Sequence, residues 1–202
     1  LIAWDRRGKI DPWNHVEAAM GLTVGGEHAR AARALRGLAD LQLESGAWWA
    51  EYDERLRPKA RHVETNFVGY FAVGVWHYRL ATGDDALVRS LWPNVVRALE
   101  FVLAHQGPDG HIWWAVDGQN EPYRDALVTG SSSLFLSLSA GIALATLQGL
   151  KHSALVGRWR TALGRLGTVI RAGRGFDRTW ASKARFAMDW YYPALCGVLP
   201  RD

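Results

Sequence analysis

A chain of 202 residues, 49% of them hydrophobic, can bury a sizeable core. The expectation is a single domain over 1–202. One cysteine, Cys196, excludes an internal disulfide framework and a cysteine-based zinc site, and it agrees with a reducing, cytoplasmic setting. The formal charge of +4 rests on arginines such as Arg30, Arg33, Arg36, Arg158, Arg160 and Arg165. Their helical spacing is that of solvated helix faces, not of a nucleic-acid surface.

The opening, Leu1-Ile2-Ala3-Trp4-Asp5-Arg6, has neither a secretory apolar run nor an initiator methionine, so a processed chain or a fragment is expected. Asp11-Pro12 starts a first helix, carboxylate at the cap and proline in the first turn, which runs over 13–23 and stops at Gly25-Gly26. A second helix over 27–43 alternates Ala, Leu and Arg at a period near 3.6. Ser45-Gly46 ends it, and 48–58 reads as a loop. The third, over 63–81, is apolar or aromatic almost throughout and should be enclosed. Asp84-Asp85 caps a fourth that reaches His105, with Trp92-Pro93 near its first turns. Dense turn chemistry follows at 106–110. A fifth helix over 124–148 is apolar all round; 126–150 has no charge, yet its Ser, Thr and Gln suit a helix buried in protein better than a membrane span. A sixth, over 153–172, is amphipathic and Arg-rich. Gly173-Arg174-Gly175 breaks it, and a seventh starts near 182. No strand is expected.

One phrase occurs twice. Arg33-Ala34-Leu35 leads to Gln42, Gly46 and Trp48–Trp49; Arg97-Ala98-Leu99 leads to Gln106, Gly110 and Trp113–Trp114. His15-Val16-Glu17 precedes the first and His62-Val63-Glu64 the second. Repetition over tens of residues marks an array of similar units, none able to bury its apolar face alone. Enclosed and amphipathic helices alternate, as a ring of hairpins requires, with inner helices lining an axis and outer helices facing water. The fold class expected is all-α: an incomplete α/α toroid of about three and a half hairpins. Self-association across its open side is a further expectation.

The Gln42…Gly46…Trp48 and Gln106…Gly110…Trp113 spacings resemble the Gln–Trp repeat of squalene cyclases and protein prenyltransferases, which are α/α toroids. The wording of Glu64-Thr65-Asn66-Phe67 to Trp76, of Leu127-Val128-Thr129-Gly130-Ser131-Ser132-Ser133 and of Met188-Asp189-Trp190-Tyr191-Tyr192-Pro193 is similar to actinobacterial proteins described as prenyltransferases, which look longer. A second likeness is to the six-hairpin glycosidase toroid of glucoamylases. The Asp-rich protonation box of the cyclases is absent, since Asp84-Asp85 reads as a helix cap. The Cys, His and Asp zinc set of the prenyltransferases has no match around Cys196.

Polar groups cluster where inner helices begin. Glycoside cleavage needs two carboxyl groups, one protonated and one ionised, and Glu17, Glu64, Asp125 and Asp189 are the candidates. Glu64 leads, because a markedly apolar helix would raise its pKa. Substrate contacts are expected from His15, His62, Asn66 and Arg124, and from rings that can stack on a sugar: Trp13, Trp49, Trp114, Trp180, Trp190 and Tyr191. Trp76, Trp92 and Trp159 read as helix packing. A hydrocarbon ligand would leave this polar rim unpaired at a cost of a few kcal/mol, which favours a carbohydrate. The leading expectation is therefore a carbohydrate-active toroid taking a glycan or glycolipid. The alternatives are a prenyl- or terpenoid-handling enzyme with an isoprenoid substrate, and a non-catalytic helical-repeat scaffold. No metal site is expected, as His15-x-Glu17 and His62-x-Glu64 splay their side chains around a helix. No cofactor is expected either, since Gly173-Arg174-Gly175 is too short for a phosphate loop.

Overall fold

The computed structural model describes residues 1–6, 8–178, 182–183 and 185–199. Seven helices alternate between two layers among these residues: α1 (Pro12–Val24), α2 (His28–Ala39), α3 (Thr65–Thr82), α4 (Asp85–Ala104), α5 (Val128–Leu147), α6 (Ala154–Ala172) and α7 (Ala187–Leu195). The apolar helices α1, α3, α5 and α7 pack side by side in chain order, and α2, α4 and α6 lie outside them. This is the expected α/α toroid of three and a half hairpins. The outer helices carry the stronger one-sided patterning and keep Arg33, Arg36, Arg158 and Arg160 exposed. Core side chains such as Leu35, Phe71, Leu99, Leu138 and Trp159 sit between the layers. The charge-free α5 is long and apolar enough to span a membrane, yet 61% of that stretch is buried against its neighbours. Asp84 caps α4 by accepting from the N–H groups of Ala86 and Leu87.

All inner helices start, and all outer helices end, at one rim, where the longer connections gather. There the sequence expectations need correction. Two small antiparallel sheets occur: β1 (Glu51–Tyr52) with β2 (Pro58–Ala60), and β3 (Val63–Glu64) with β4 (Ala115–Val116) and β5 (Pro122–Tyr123). Strands of two or three residues are too short to display a period of two, so the sequence hides them. Helix α3 begins two residues later than expected because Val63 and Glu64 pair with Val116 and Ala115. Helix α2 stops at Ala39, and the tight Leu41–Leu38 and Gln42–Ala39 bonds turn the chain away. Helix α5 starts at Val128, since the carbonyl of Asp125 accepts from Trp114 N–H. Helix α7 starts at Ala187.

The repeated phrase is a rivet. Gln42 Nε2 donates to the carbonyls of Gly46 (2.7 Å) and of Asn94 on α4 (3.0 Å). Gln106 Nε2 repeats the pattern, to Gly110 (2.9 Å) and to Ala162 on α6 (3.1 Å). Each glutamine thus pins its own turn to the next outer helix. Carrying the Gln-to-Gly register forward places Ile112 and Trp113, not Trp113 and Trp114, opposite Trp48 and Trp49. Trp48 and Ile112 are both fully buried, and Trp48 Nε1 donates to Leu38 O (2.7 Å). Gln42 Oε1 also accepts from Asn94 and Arg97, so Gln42→Ala should cost about 2 kcal/mol. A thermal melt should show this as a fall in Tm of roughly 4–8 °C.

Candidate active site

The starts of α1, α3, α5 and α7 converge on a recess of about 260 Å3, lined by Trp13, Asn14, Asn66, Thr129, Met188 and Tyr192 among others. Trp13 is the second residue of α1, where Asp11 accepts from Asn14 N–H (2.8 Å) and Asn14 Nδ2 (2.9 Å) and Pro12 opens the first turn. Its indole stacks on Tyr70 at 3.9 Å between centroids and 10° between planes, and leans on Phe67 and Tyr192. Thr65 fixes the start of α3, since its Oγ1 donates to Trp113 O at 2.7 Å and its N–H to Trp114 O. Asn66 then faces Gly130 of α5. The N-terminal ends of these helices bring partial positive charge to the recess.

Glu64 sits immediately before α3, in β3 and not on the helix as expected. Its side chain is 24% exposed, with Oε1 3.6 Å from His62 Nε2. Burial pushes its carboxyl above the ordinary range; nearby His62 opposes the shift, and the negative charge of Asp11 adds to it. Asp189, in the first turn of α7, is also raised, by burial and then by Asp177. It lines two further recesses beside the first. One, of about 390 Å3, includes Phe176, Asp177 and Trp190; the other, of about 410 Å3, includes Leu127, Phe186 and Met188.

Other expected site residues lie elsewhere. Glu17 is on the same face of α1 as Trp13, one turn below the mouth, and accepts a hydrogen bond from Tyr70 Oη. Burial, and then that contact, push the Tyr70 hydroxyl up. His15 does not reach the mouth. It is fully buried toward α2, its Nδ1 accepting from Ile2 N–H and its Nε2 donating to Ala34 O, each at 2.9 Å. Burial lowers its pKa. Asp125 is 1% exposed, and its Oδ1 accepts from the N–H groups of Ala126 and Arg178, which makes it a brace between two connections. Arg124 is exposed, just before that brace. Trp114 lies between His62 and Tyr123, 6.4 and 5.8 Å from their ring centroids. Trp190 is 75% exposed, and Tyr191 stands edge-on to Tyr192. Trp49 lines a different groove, and Trp180 is outside the described residues.

Sequence reasoning takes Asp11 only as a cap and misses Asn14, Tyr70 and Thr129. The usable signal is position, since Asn14 lies one residue after Trp13 and Tyr70 one helical turn after Asn66. Among the described residues no three His, Cys, Asp or Glu side chains gather to hold a metal ion. The assembled groups can bind a polyhydroxylated ring through stacking and amide contacts, and Glu64 lies two residues before Asn66 of this lining.

Comparison with known proteins agrees on the architecture. The chain aligns over 98% of its length with a rhamnosidase from Klebsiella oxytoca with rhamnose bound, at a TM-score of 0.66, 19% identity and 40% coverage of that chain. A sugar epimerase from a ruminal bacterium aligns over 80% of this chain and 44% of its own, at a TM-score of 0.61 and 14% identity. The fold is an α/α toroid, shared with both structures. At such low identities the two structures bear on the fold alone. No family model matches the chain. In sequence it is 36% identical over 198 residues to an MMP endo-(1,4)-3-O-methyl-alpha-D-mannosidase of Mycolicibacterium hassiacum. That alignment takes in 98% of this chain and 53% of the relative, so the chain spans about half the relative's length.

Proposed function

We propose that this toroid cleaves glycosidic bonds, with Glu64 as the proton donor. The observation that carries the reading is a largely buried carboxyl immediately before an inner helix, two residues ahead of Asn66, which with an indole and a second side-chain amide lines the recess. Departure of a sugar alkoxide needs a proton delivered as the bond breaks, and a carboxyl whose pKa is raised keeps that proton to higher pH than an ordinary one. The second carboxyl group that the reaction requires comes from Asp11, by its closeness to Glu64, or from Asp189, which lines the recesses beside the mouth. The relative's activity suggests 1,4-linked, 3-O-methylated α-mannosides as substrates. The test is hydrolysis of such an oligosaccharide by the protein and by Asp11→Asn and Asp189→Asn. The variant whose activity returns with added azide has lost the base or nucleophile; full activity in both removes both from the mechanism.

An isoprenoid occupant fits less well. The Asn66 amide and the Thr129 hydroxyl would face hydrocarbon, at a few kcal/mol each.

The proton-donor role fixes a pH dependence. Since burial raises Glu64, the competent, protonated form persists above the ordinary carboxylate range and is lost as pH rises through the raised pKa. A pH profile of kcat should therefore fall on its alkaline side through an ionisation displaced upward from a normal glutamate. A fall at the ordinary glutamate value would contradict the assignment.

A further inference from the structure

A larger groove, of about 760 Å3, lies on the same rim, away from the mouth. Buried Val63 and Phe101 form its floor, half-buried Trp49 stands beside them, and exposed Glu44, Gln119 and Asn120 reach its edge. The turn carrying Gln119 and Asn120 is held in shape, because Asp117 Oδ1 accepts from the N–H groups of Gln119 (2.8 Å) and Glu121 (2.9 Å).

The lining selects among ligand classes. Its arginine, Arg97, is engaged with Gln42, and Glu100 accepts from Arg158 and Trp159. That leaves little to attract a phosphate or an acidic peptide. A bare hydrocarbon would strand the carboxylate of Glu44 and the two amides. A half-buried indole edged by a carboxylate and amides suits a sugar ring, whose C–H face stacks while its hydroxyls donate and accept. The groove and Glu64 share one strand, β3. Val63 lines it and the next residue is Glu64, so the two side chains leave opposite faces of β3. The Gln119–Asn120 turn links β4 and β5 of the same sheet, and Ala50, next to Trp49, donates its N–H to His62 O.

We infer that this groove is a second glycan-binding site, in which Trp49 stacks on one sugar of an oligosaccharide and Glu44, Gln119 and Asn120 take its hydroxyls while another part of the chain lies at the mouth. The ligand class rests on the glycan reading above, but the groove needs no chemistry at Glu64. Binding at two linked places raises the effective concentration of the reacting end, so the groove acts on long substrates only.

The test uses Trp49→Ala and, because Trp49 packs partly on the core, the surface double variant Glu44→Ala/Gln119→Ala. Each is made in the protein and in Glu64→Gln, and probed with a disaccharide and a long oligosaccharide of 1,4-linked 3-O-methylmannose. Calorimetry on the Glu64→Gln forms should show affinity for the long chain reduced about three- to tenfold by either change, with the disaccharide unaffected. In the active protein the KM of the long substrate should rise by the same factor at constant kcat. Unchanged affinity and KM in both variants overturn the groove, and so does an equal loss with the disaccharide. Groove-dependent binding without turnover refutes the catalytic reading and leaves the groove standing. Glu64-dependent turnover with an unchanged long-chain KM does the reverse. No binding of either sugar overturns both.

Discussion

Glu64→Gln should lower kcat on a glycoside about a hundred- to ten-thousandfold while the protein stays folded. The amide keeps the size and shape of the carboxyl and removes only the transferable proton. A purely structural carboxylate would behave differently. Glu64 has His62 as its neighbour at 3.6 Å, and burial and Asp11 penalise its charge more than His62 and Lys9 favour it. Its folded-state pKa is raised, so its favourable contribution to stability is complete below the unfolded value and is lost as pH climbs through the folded value. A neutral Gln escapes that loss. The Tm of the variant relative to the native protein should therefore improve as pH rises through this window, while its kcat stays depressed throughout. Full turnover in Glu64→Gln would dismiss Glu64 as the acid. A variant that loses Tm in step with activity would mark Glu64 as a structural ion-pair partner of His62.

How much of this is legible in the sequence depends on the range of the interactions. The two-layer toroid follows from patterning, because enclosed helices such as α3 and α5 are apolar all round and outer helices such as α2 and α6 are not. The Gln42 and Gln106 phrase is visible as repetition. Its purpose is not, since it consists of bonds to Asn94 and Ala162, more than fifty residues away. The site divides in the same way. Trp13 and Asn66 lie in the first turns of inner helices, so their place at the mouth follows once the toroid is assumed. His15 begins an inner helix too, but the 3.6 period turns it toward α2, where it takes Ile2 and Ala34. Asp125 precedes α5, and only the return of residue 178 to its carboxylate shows that it is a brace. Glu64 reads as helical in the sequence because Val63 and Glu64 join an apolar run. A partner strand some fifty residues later in the chain claims them instead.

Gly46→Ala should cause one of the largest losses of stability available to a single methyl group in this chain. Gly46 has φ +92°, a backbone region that L side chains rarely adopt, and a Cβ there would lie 2.4 Å from the carbonyl oxygen of Arg97 and 2.8 Å from its carbon. The obstacle is the backbone of α4, which cannot swing aside as a side chain can. Moving the turn would break both bonds from Gln42, because that rivet requires the Gly46 carbonyl and α4 to stay together. Strain and displaced packing should together cost more than about 3 kcal/mol, in the range tied to specific structural damage. With about 4 kcal/mol lost, Tm would fall by roughly 8–16 °C. Gly26→Ala separates the two causes. Gly26 has φ +81°, but a Cβ added there would meet nothing within 4 Å, so the variant carries the conformational cost alone, about 1–2 kcal/mol. Gly110→Ala should fall between them, as the corresponding contact with Arg165 O is 3.2 Å. Thermal melts of the three variants should therefore rank Gly46 well below Gly110, and Gly110 below Gly26. If Gly46→Ala melted with Gly26→Ala, the close approach of turn and helix would not be what holds neighbouring hairpins together.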